Sequence, residues 1–377
     1  MPQSLYHEEH EIFRKTVRSF IEREVAPYHA QWEKDGQVSR EVWRKAGAAG
    51  LLCTGMPMEY GGAGADFLYA ALFNEEMSRR VFSGPGFRLH SDIVAPYILH
   101  YGSEAQRRRW LPAMATGEVI TAIAMTEPGA GSDLQGIRTT AIREGEHYRL
   151  NGQKTFITNG QLADLVIVVA KTDPREGAKG ITLMLVEASA PGFKRGRNLE
   201  KIGMKAQDTS ELFFDDVLVP ADHVLGGEGR GFACLMQELP QERLSVAITA
   251  VAVMEAALEW TLTYTRERKA FGRALADFQV SRFKLAEMKT EVTIARTFLD
   301  HCLSLHLEGK LDVQTAAMAK WWLSELEGRI LDQCLQLHGG YGYMWEFPIA
   351  RAYADARVHR IYAGSNEIMK ELIARSL

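Results

Sequence analysis

At 377 residues the chain is longer than one hydrophobic core usually organises, which predicts two or three domains. Hydrophobic residues make up 46% and charged residues 24%, and 44 Lys and Arg stand against 48 Asp and Glu. The resulting formal charge of −4 gives no general attraction to nucleic acid or an anionic membrane, and no uninterrupted apolar run approaches the ~18 residues of a membrane helix.

Helix comes first. Phe13, Val17, Phe20 and Val25 recur at helical spacing, and Pro27 is expected to end the run. Glycine-rich breaks follow at Gly61-Gly62-Ala63-Gly64 and Gly84-Pro85-Gly86, with helical sequence continuing to Thr116-Gly117. The period then changes. Thr121 to Thr126 is strand-like, Asn151-Gly152 between extended flanks predicts a hairpin, and Leu162 to Ala170 reads as a buried strand. Ile181 to Val186, Leu212 to Phe214 and Val217 to Pro220 add strands, and Gly226-Gly227-Glu228-Gly229 closes the block. From Arg230 onward the chain is helical again. Leu285, Met288, Val292, Ala295, Leu299 and Cys302 alternate spacings of three and four, the seam of a helix in a bundle.

The predicted plan is therefore mainly α with a central β domain: a helical domain over 1–118, a β domain over 119–228 and a helical bundle over 229–377. The four cysteines, Cys53, Cys234, Cys302 and Cys334, form no C-x-x-C pair, which argues against a metal site or a disulfide framework. No secretory or transit segment is recognisable after Met1, so a bacterial cytoplasmic protein is expected, or a mitochondrial matrix protein if the chain is a processed form.

The most specific string is Met125-Thr126-Glu127-Pro128-Gly129-Ala130-Gly131-Ser132-Asp133. A strand enters a Pro-Gly turn whose small residues leave backbone amides and hydroxyls free to face a ligand. It lacks the G-x-G-x-x-G spacing of a dinucleotide fingerprint. This string resembles the first signature of the acyl-CoA dehydrogenases, flavoenzymes that desaturate acyl thioesters. Lys154 to Gly160 resembles the family's flavin-facing strand, Arg268-Lys269-Ala270-Phe271-Gly272 with Gln279 its pyrophosphate element, and Gln336 to Tyr343 the stretch that meets a neighbouring subunit's FAD. The likeness spans nearly the whole chain and is closest to the long-chain members, as in Gly203 to Phe214 and Cys334 to Ile373.

The resemblance implies FAD as cofactor, held by Met125, Thr126, Gly131, Ser132, Phe156, Thr158, Arg268, Phe271, Gln279, Gln336, Gly339, Gly340, Ser365 and Glu367. Phe156 would lie against the flavin ring and Thr158 near its N5. Ser132, Arg243 and Gly364 would touch the acyl-CoA. Many members place the catalytic glutamate where this chain has Ala363. A subgroup that includes isovaleryl- and long-chain dehydrogenases takes it from an earlier helix, and Leu239-Pro240-Gln241-Glu242-Arg243-Leu244 offers Glu242, just after a Pro-containing stretch expected to break the helix. Glu242 would be the base, and the backbone N–H of Ala363 would bind the thioester oxygen.

The resemblance further implies an electron-transfer flavoprotein as redox partner and a homotetramer, a dimer of dimers. The expected activity is α,β-desaturation of medium- to long-chain acyl-CoA in β-oxidation. A branched or isoprenoid acyl-CoA substrate, a flavin oxidase and a flavin-binding homologue without turnover remain the alternatives.

Overall fold

The computed structural model describes residues 5–377 and carries the helix–sheet–helix plan expected from the sequence. A long helical rod opens the chain: α1 (Glu8–Phe20), a π-helical segment (Ile21–Val25) and α2 (Ala26–Asp35). Pro27 does not end it. The proline sits in the first turn of α2, immediately after the π-helical segment where the bonding register changes, and Gly36 at φ 72° stops the rod instead. Helices α3 (Arg40–Ala48), α4 (Phe67–Ser78), α5 (Ala95–Tyr101) and α6 (Glu104–Ala115) complete the first block. A second π-helical segment, Leu89–Val94, runs directly into α5.

The central sheet comprises β1 (Thr121–Ala124), β2 (Thr140–Glu144), β3 (His147–Thr158), β4 (Leu165–Lys171), β5 (Ile181–Glu187), β6 (Phe193–Asn198), β7 (Thr209–Pro220) and β8 (Val224–Leu225). They are ordered β6-β7-β3-β2-β4-β5-β8, with β1 parallel to β4. Alternating inward residues of β3 and β7 with Val166, Val168 and Ala170 form its core, while Leu165, Ile167 and Val169 pack in a second cluster with Tyr97, Ile98 and Leu111.

The Asn151-Gly152 pair is not a hairpin. It lies inside β3, and the reversal from β2 is made at Gly145 (φ 62°). Gly152 instead marks a register shift against β7. A Cβ there would lie 2.4 Å from Thr139 Oγ1, so glycine answers a close approach rather than a turn. The two short strands expected at 212–214 and 217–220 are one strand, β7.

Helices α7 (Gly231–Glu267), α8 (Gln279–Leu307), α9 (Val313–His338), α10 (Pro348–Ala356) and α11 (Asn366–Ala374) form the last block, with a small ribbon of β9 (Lys269–Ala270) and β10 (Arg273–Ala274). The predicted α8 seam from Leu285 to Cys302 faces the bundle core. By length and composition α7 could cross a membrane, but 67% of its apolar window is buried within the fold. All four cysteines are buried and free.

Candidate active site

A cavity of about 550 Å³ lies where the three blocks meet. Its walls come from α4, the Leu89–Val94 segment, the loop after β1, the end of β3, α7 and the tail around Tyr362. Of the expected site residues, Met125, Thr126, Gly131, Ser132, Phe156, Thr158, Glu242, Arg243, Ala363 and Gly364 border it.

Glu242 sits on α7, which runs through Pro240 without interruption, contrary to the break expected there. The carboxyl is 6% exposed and accepts a hydrogen bond from the Tyr97 hydroxyl at 2.9 Å. Burial pushes it up to about 7. The Tyr97 bond opposes that shift, the nearby Glu238 charge adds to it, and Arg243 and Arg88 oppose it. The next residue, Arg243, is only 4% exposed, yet its Nε has no acceptor among the described residues, and burial lowers its proton affinity. A buried guanidinium whose Nε–H lacks an acceptor, at a cavity wall, is costly alone and suits an anionic or carbonyl oxygen.

The tail also reaches the cavity, through Tyr362, Ala363 and Gly364. Ala363 adopts φ 53° and Gly364 φ 86°, so the chain reverses sharply beside the cavity. No described backbone carbonyl accepts from the Ala363 N–H. Lys320, buried on α9, holds the turn by donating to Gly364 O at 2.6 Å and Asn366 Oδ1 at 2.9 Å. Ser365 caps α11 and exposed Glu367 lies in its first turn; both lie outside the cavity lining, next to residues within it.

The loop after β1 and the end of β3 are locked together. Thr155 N donates to Thr126 O at 2.9 Å. Buried Lys154 donates to Met125 O and Glu127 Oε1, and Glu127 also accepts from the backbone N–H groups of Arg138 and Thr139. The β3–β7 ladder slips between Lys154 and Ile157, and Phe156 takes φ 60° within the slip. Such a bulge re-aims a side chain, and Phe156 is left 67% exposed at the cavity.

The other expected cofactor residues are elsewhere. Arg268, Phe271, Gln279, Gln336, Gly339 and Gly340 are all exposed and none borders the cavity; Phe271 is 96% exposed. They nevertheless share one surface. Tyr264 stacks on His338 and bonds its carbonyl, Arg268 lies over the Tyr341 ring, and Phe271 touches Phe278, the residue before Gln279.

Sequence reasoning missed Tyr97, Lys154, Lys320, Glu238 and Arg88 as supports of the site. The available signal was charge in apolar company: Lys154 and Lys320 stand among the largest fully buried side chains.

Comparison with known proteins supports one family throughout. The acyl-CoA dehydrogenase N-terminal, middle and C-terminal domain models match residues 7–118, 122–217 and 229–377. The chain is 56% identical over 375 residues to the mitochondrial long-chain specific acyl-CoA dehydrogenase of Rattus norvegicus, covering 99% of this chain and 87% of that protein. The crystal structure of an acyl-CoA dehydrogenase from Geobacillus kaustophilus superposes with a TM-score of 0.97 at 51% identity, over 99% of this chain and 98% of that one. A Bacillus anthracis acyl-CoA dehydrogenase solved with FAD superposes at 0.92 with 31% identity, over 99% of this chain and 68% of that one. The chain belongs to the acyl-CoA dehydrogenase family and is an oxidoreductase with FAD as its cofactor.

Proposed function

We propose that the protein desaturates medium- to long-chain acyl-CoA to the trans-2-enoyl-CoA in β-oxidation, with Glu242 as the base. The observation that carries this is Glu242 held by Tyr97 at the cavity while the tail position in the same lining holds Ala363. A carboxyl raised to about 7 accepts a proton near neutral pH with useful driving force. The α-proton of a thioester is too weakly acidic for an unaided carboxylate, so the thioester oxygen must meet donors as enolate charge develops. The unpaired Ala363 N–H supplies one of them, and the side chain it lacks is irrelevant to that bond.

Arg243 faces the same cavity, and we assign it to the polar end of the acyl-CoA with Ser132 and Gly364. The residues present fit FAD. Phe156 leaves an aromatic face open at the cavity, Thr126, Thr158 and Ser132 offer hydroxyls beside it, and a Cβ at Gly129 or Gly131 would meet nothing within 4 Å. Bound there, FAD would supply the acceptor for the hydride that leaves Cβ of the acyl chain. The exposed patch of Arg268, Phe271, Gln279, Gln336, Gly339 and Gly340 lies outside the cavity lining, and we assign it, with Ser365 and Glu367, to FAD contacts shared between subunits of a homotetramer.

An electron-transfer flavoprotein is the proposed acceptor of the reducing equivalents, and the cytoplasm of a bacterium the proposed setting. The three-domain arrangement with boundaries at 118 and 228 is our reading of the chain's organisation.

Anaerobic mixing of the purified protein with acyl-CoA thioesters of graded chain length tests the function. Flavin bleaching fastest with medium to long chains is expected. The best kcat/KM with butyryl-CoA would overturn the chain-length reading, and no bleaching with any thioester would overturn the activity.

A further inference from the structure

Helix α5 is joined to the start of α7 by three side-chain rungs running from the cavity to the surface. Tyr97 donates to Glu242 at 2.9 Å, the His100 Nδ1–H donates to Glu238 Oε1 at 2.8 Å, and the Tyr101 hydroxyl donates to Gln237 Oε1 at 2.9 Å. From the first rung to the second the step is three residues on α5 and four on α7, one turn on each helix, and the third rung uses the residue next to each member of the second. The inner rung is buried, whereas the His100 side chain is 51% exposed. Glu238 is itself buried, one turn before Glu242 on the same helix face.

We propose that the His100–Glu238 pair is a positioning device that sets the proton affinity of Glu242 from outside the cavity. The inference rests on the reading of Glu242 as the base for its catalytic consequence, but not for its electrostatics. Two carboxylates one helical turn apart repel, and the repulsion is strongest when the first lacks a counter-charge. Protonated His100 supplies that counter-charge at the solvent boundary.

The groups facing the pair are few. From α5 they are Tyr97 and Tyr101, from α6 Arg107, from α8 His306, and on α7 itself Cys234 and Glu242. Arg107 opposes the charging of His100, and the hydrogen bond to Glu238 outweighs it, so His100 holds its proton above the ordinary histidine range. The remaining charges near Glu242, Arg243 and Arg88, lie on the opposite account and favour its ionised form.

The signs follow directly. Removing the Glu238 charge lets Glu242 ionise at lower pH. Removing the His100 charge leaves Glu238 uncompensated and makes Glu242 hold its proton to higher pH. The variants Glu238→Gln and His100→Gln keep the rung's hydrogen-bonding capacity, and His100→Arg keeps its positive charge. Two readouts on the FAD-loaded protein separate the possibilities. One is the infrared band of the protonated Glu242 carboxyl, assigned by its loss in Glu242→Gln and titrated with pH. The other is the acid limb of the pH profile for flavin reduction.

We expect the band midpoint to fall by roughly half a pH unit or more in Glu238→Gln and to rise by a similar amount in His100→Gln, solvent screening at His100 limiting the size. His100→Arg should stay at or below the native midpoint. Movement in opposite directions is not produced by a loosened α5–α7 contact, which would disturb both variants alike. An unmoved midpoint, or a shift of the same sign in Glu238→Gln and His100→Gln, overturns the inference. If the band moves as expected while the acid limb stays fixed, the inference stands and Glu242 is not the base.

Discussion

Lys320 Nζ donates to the carbonyl of Gly364 at 2.6 Å, tying the core of α9 to the turn that carries Ala363. The lysine is fully buried, and burial pushes it down to about 8. Such a costly placement is understandable if the orientation of the tail peptide matters. Lys320→Met preserves the apolar stem and removes both donated bonds. It should lower kcat for flavin reduction by roughly tenfold or more, because small misplacements of a reacting group are expensive. FAD content should fall less than activity, since Phe156, Thr126 and Thr158 on the β domain keep their places when the tail turn loosens. Loss of FAD alongside activity would show that Lys320 supports the fold as a whole.

Glu242→Gln keeps the shape of the side chain and its contact with Tyr97 but cannot take a proton. Flavin reduction by acyl-CoA should fall by at least the roughly 10²–10⁴-fold ascribed to a general base. The same variant should be more heat-stable than the native protein at pH 8. A carboxyl raised to about 7 in the fold from its ordinary value of 4.5 favours the folded state most below 4.5 and loses that contribution as pH rises through 7. Above that pH the native protein carries a buried charge that glutamine removes. Near-native reduction rates in Glu242→Gln would place the base elsewhere.

Ala363→Glu added to Glu242→Gln moves the carboxylate to the tail. Partial recovery of reduction is expected if both positions face the same substrate carbon. Recovery should be incomplete, because the native turn carries only a methyl group at 363 for its neighbours to orient and its φ of 53° is already unfavourable for residues with a Cβ. No recovery over the single variant, with FAD and acyl-CoA binding intact, would argue that the two positions do not address one atom.

Arg268→Ala should weaken retention of FAD, by about 1.5–3 kcal/mol if a charge-assisted bond to phosphate is lost. Sedimentation of the native protein should give a tetramer. A stable monomer with full FAD occupancy would remove the rationale for the exposed patch of Arg268, Phe271 and Gln279.

Much of the architecture was legible because the relevant signals are local. The α8 seam and the run Leu165 to Ala170 announce their periodicity within one element, and the loop string at 125–133 is contiguous. The expected cavity residues from Met125 to Gly364 come to one place for the same reason: each lies in a short distinctive string. What the sequence hid depends on distance or on competing local rules. Tyr97 and Glu242 are 145 positions apart, and Lys320 and Gly364 are 44 apart. Asn151-Gly152 has the composition of a hairpin turn, but the close approach of Thr139 overrides it. Pro240 has the composition of a helix stop, but tertiary burial of α7 on both sides carries the helix through it.

The Ala363 turn has a genetic consequence. A donor that belongs to the peptide group is shared by every amino acid except proline, so nineteen of the twenty codable residues preserve it in principle. Proline would abolish it, and proline cannot adopt the φ of 53° found here. This donor of the proposed oxygen-binding arrangement therefore survives most substitutions at its own position, the φ of 53° weighing most against β-branched residues. Its vulnerability is displaced onto the residues that hold the turn, Lys320 and Asn366, where loss-of-function alleles should concentrate.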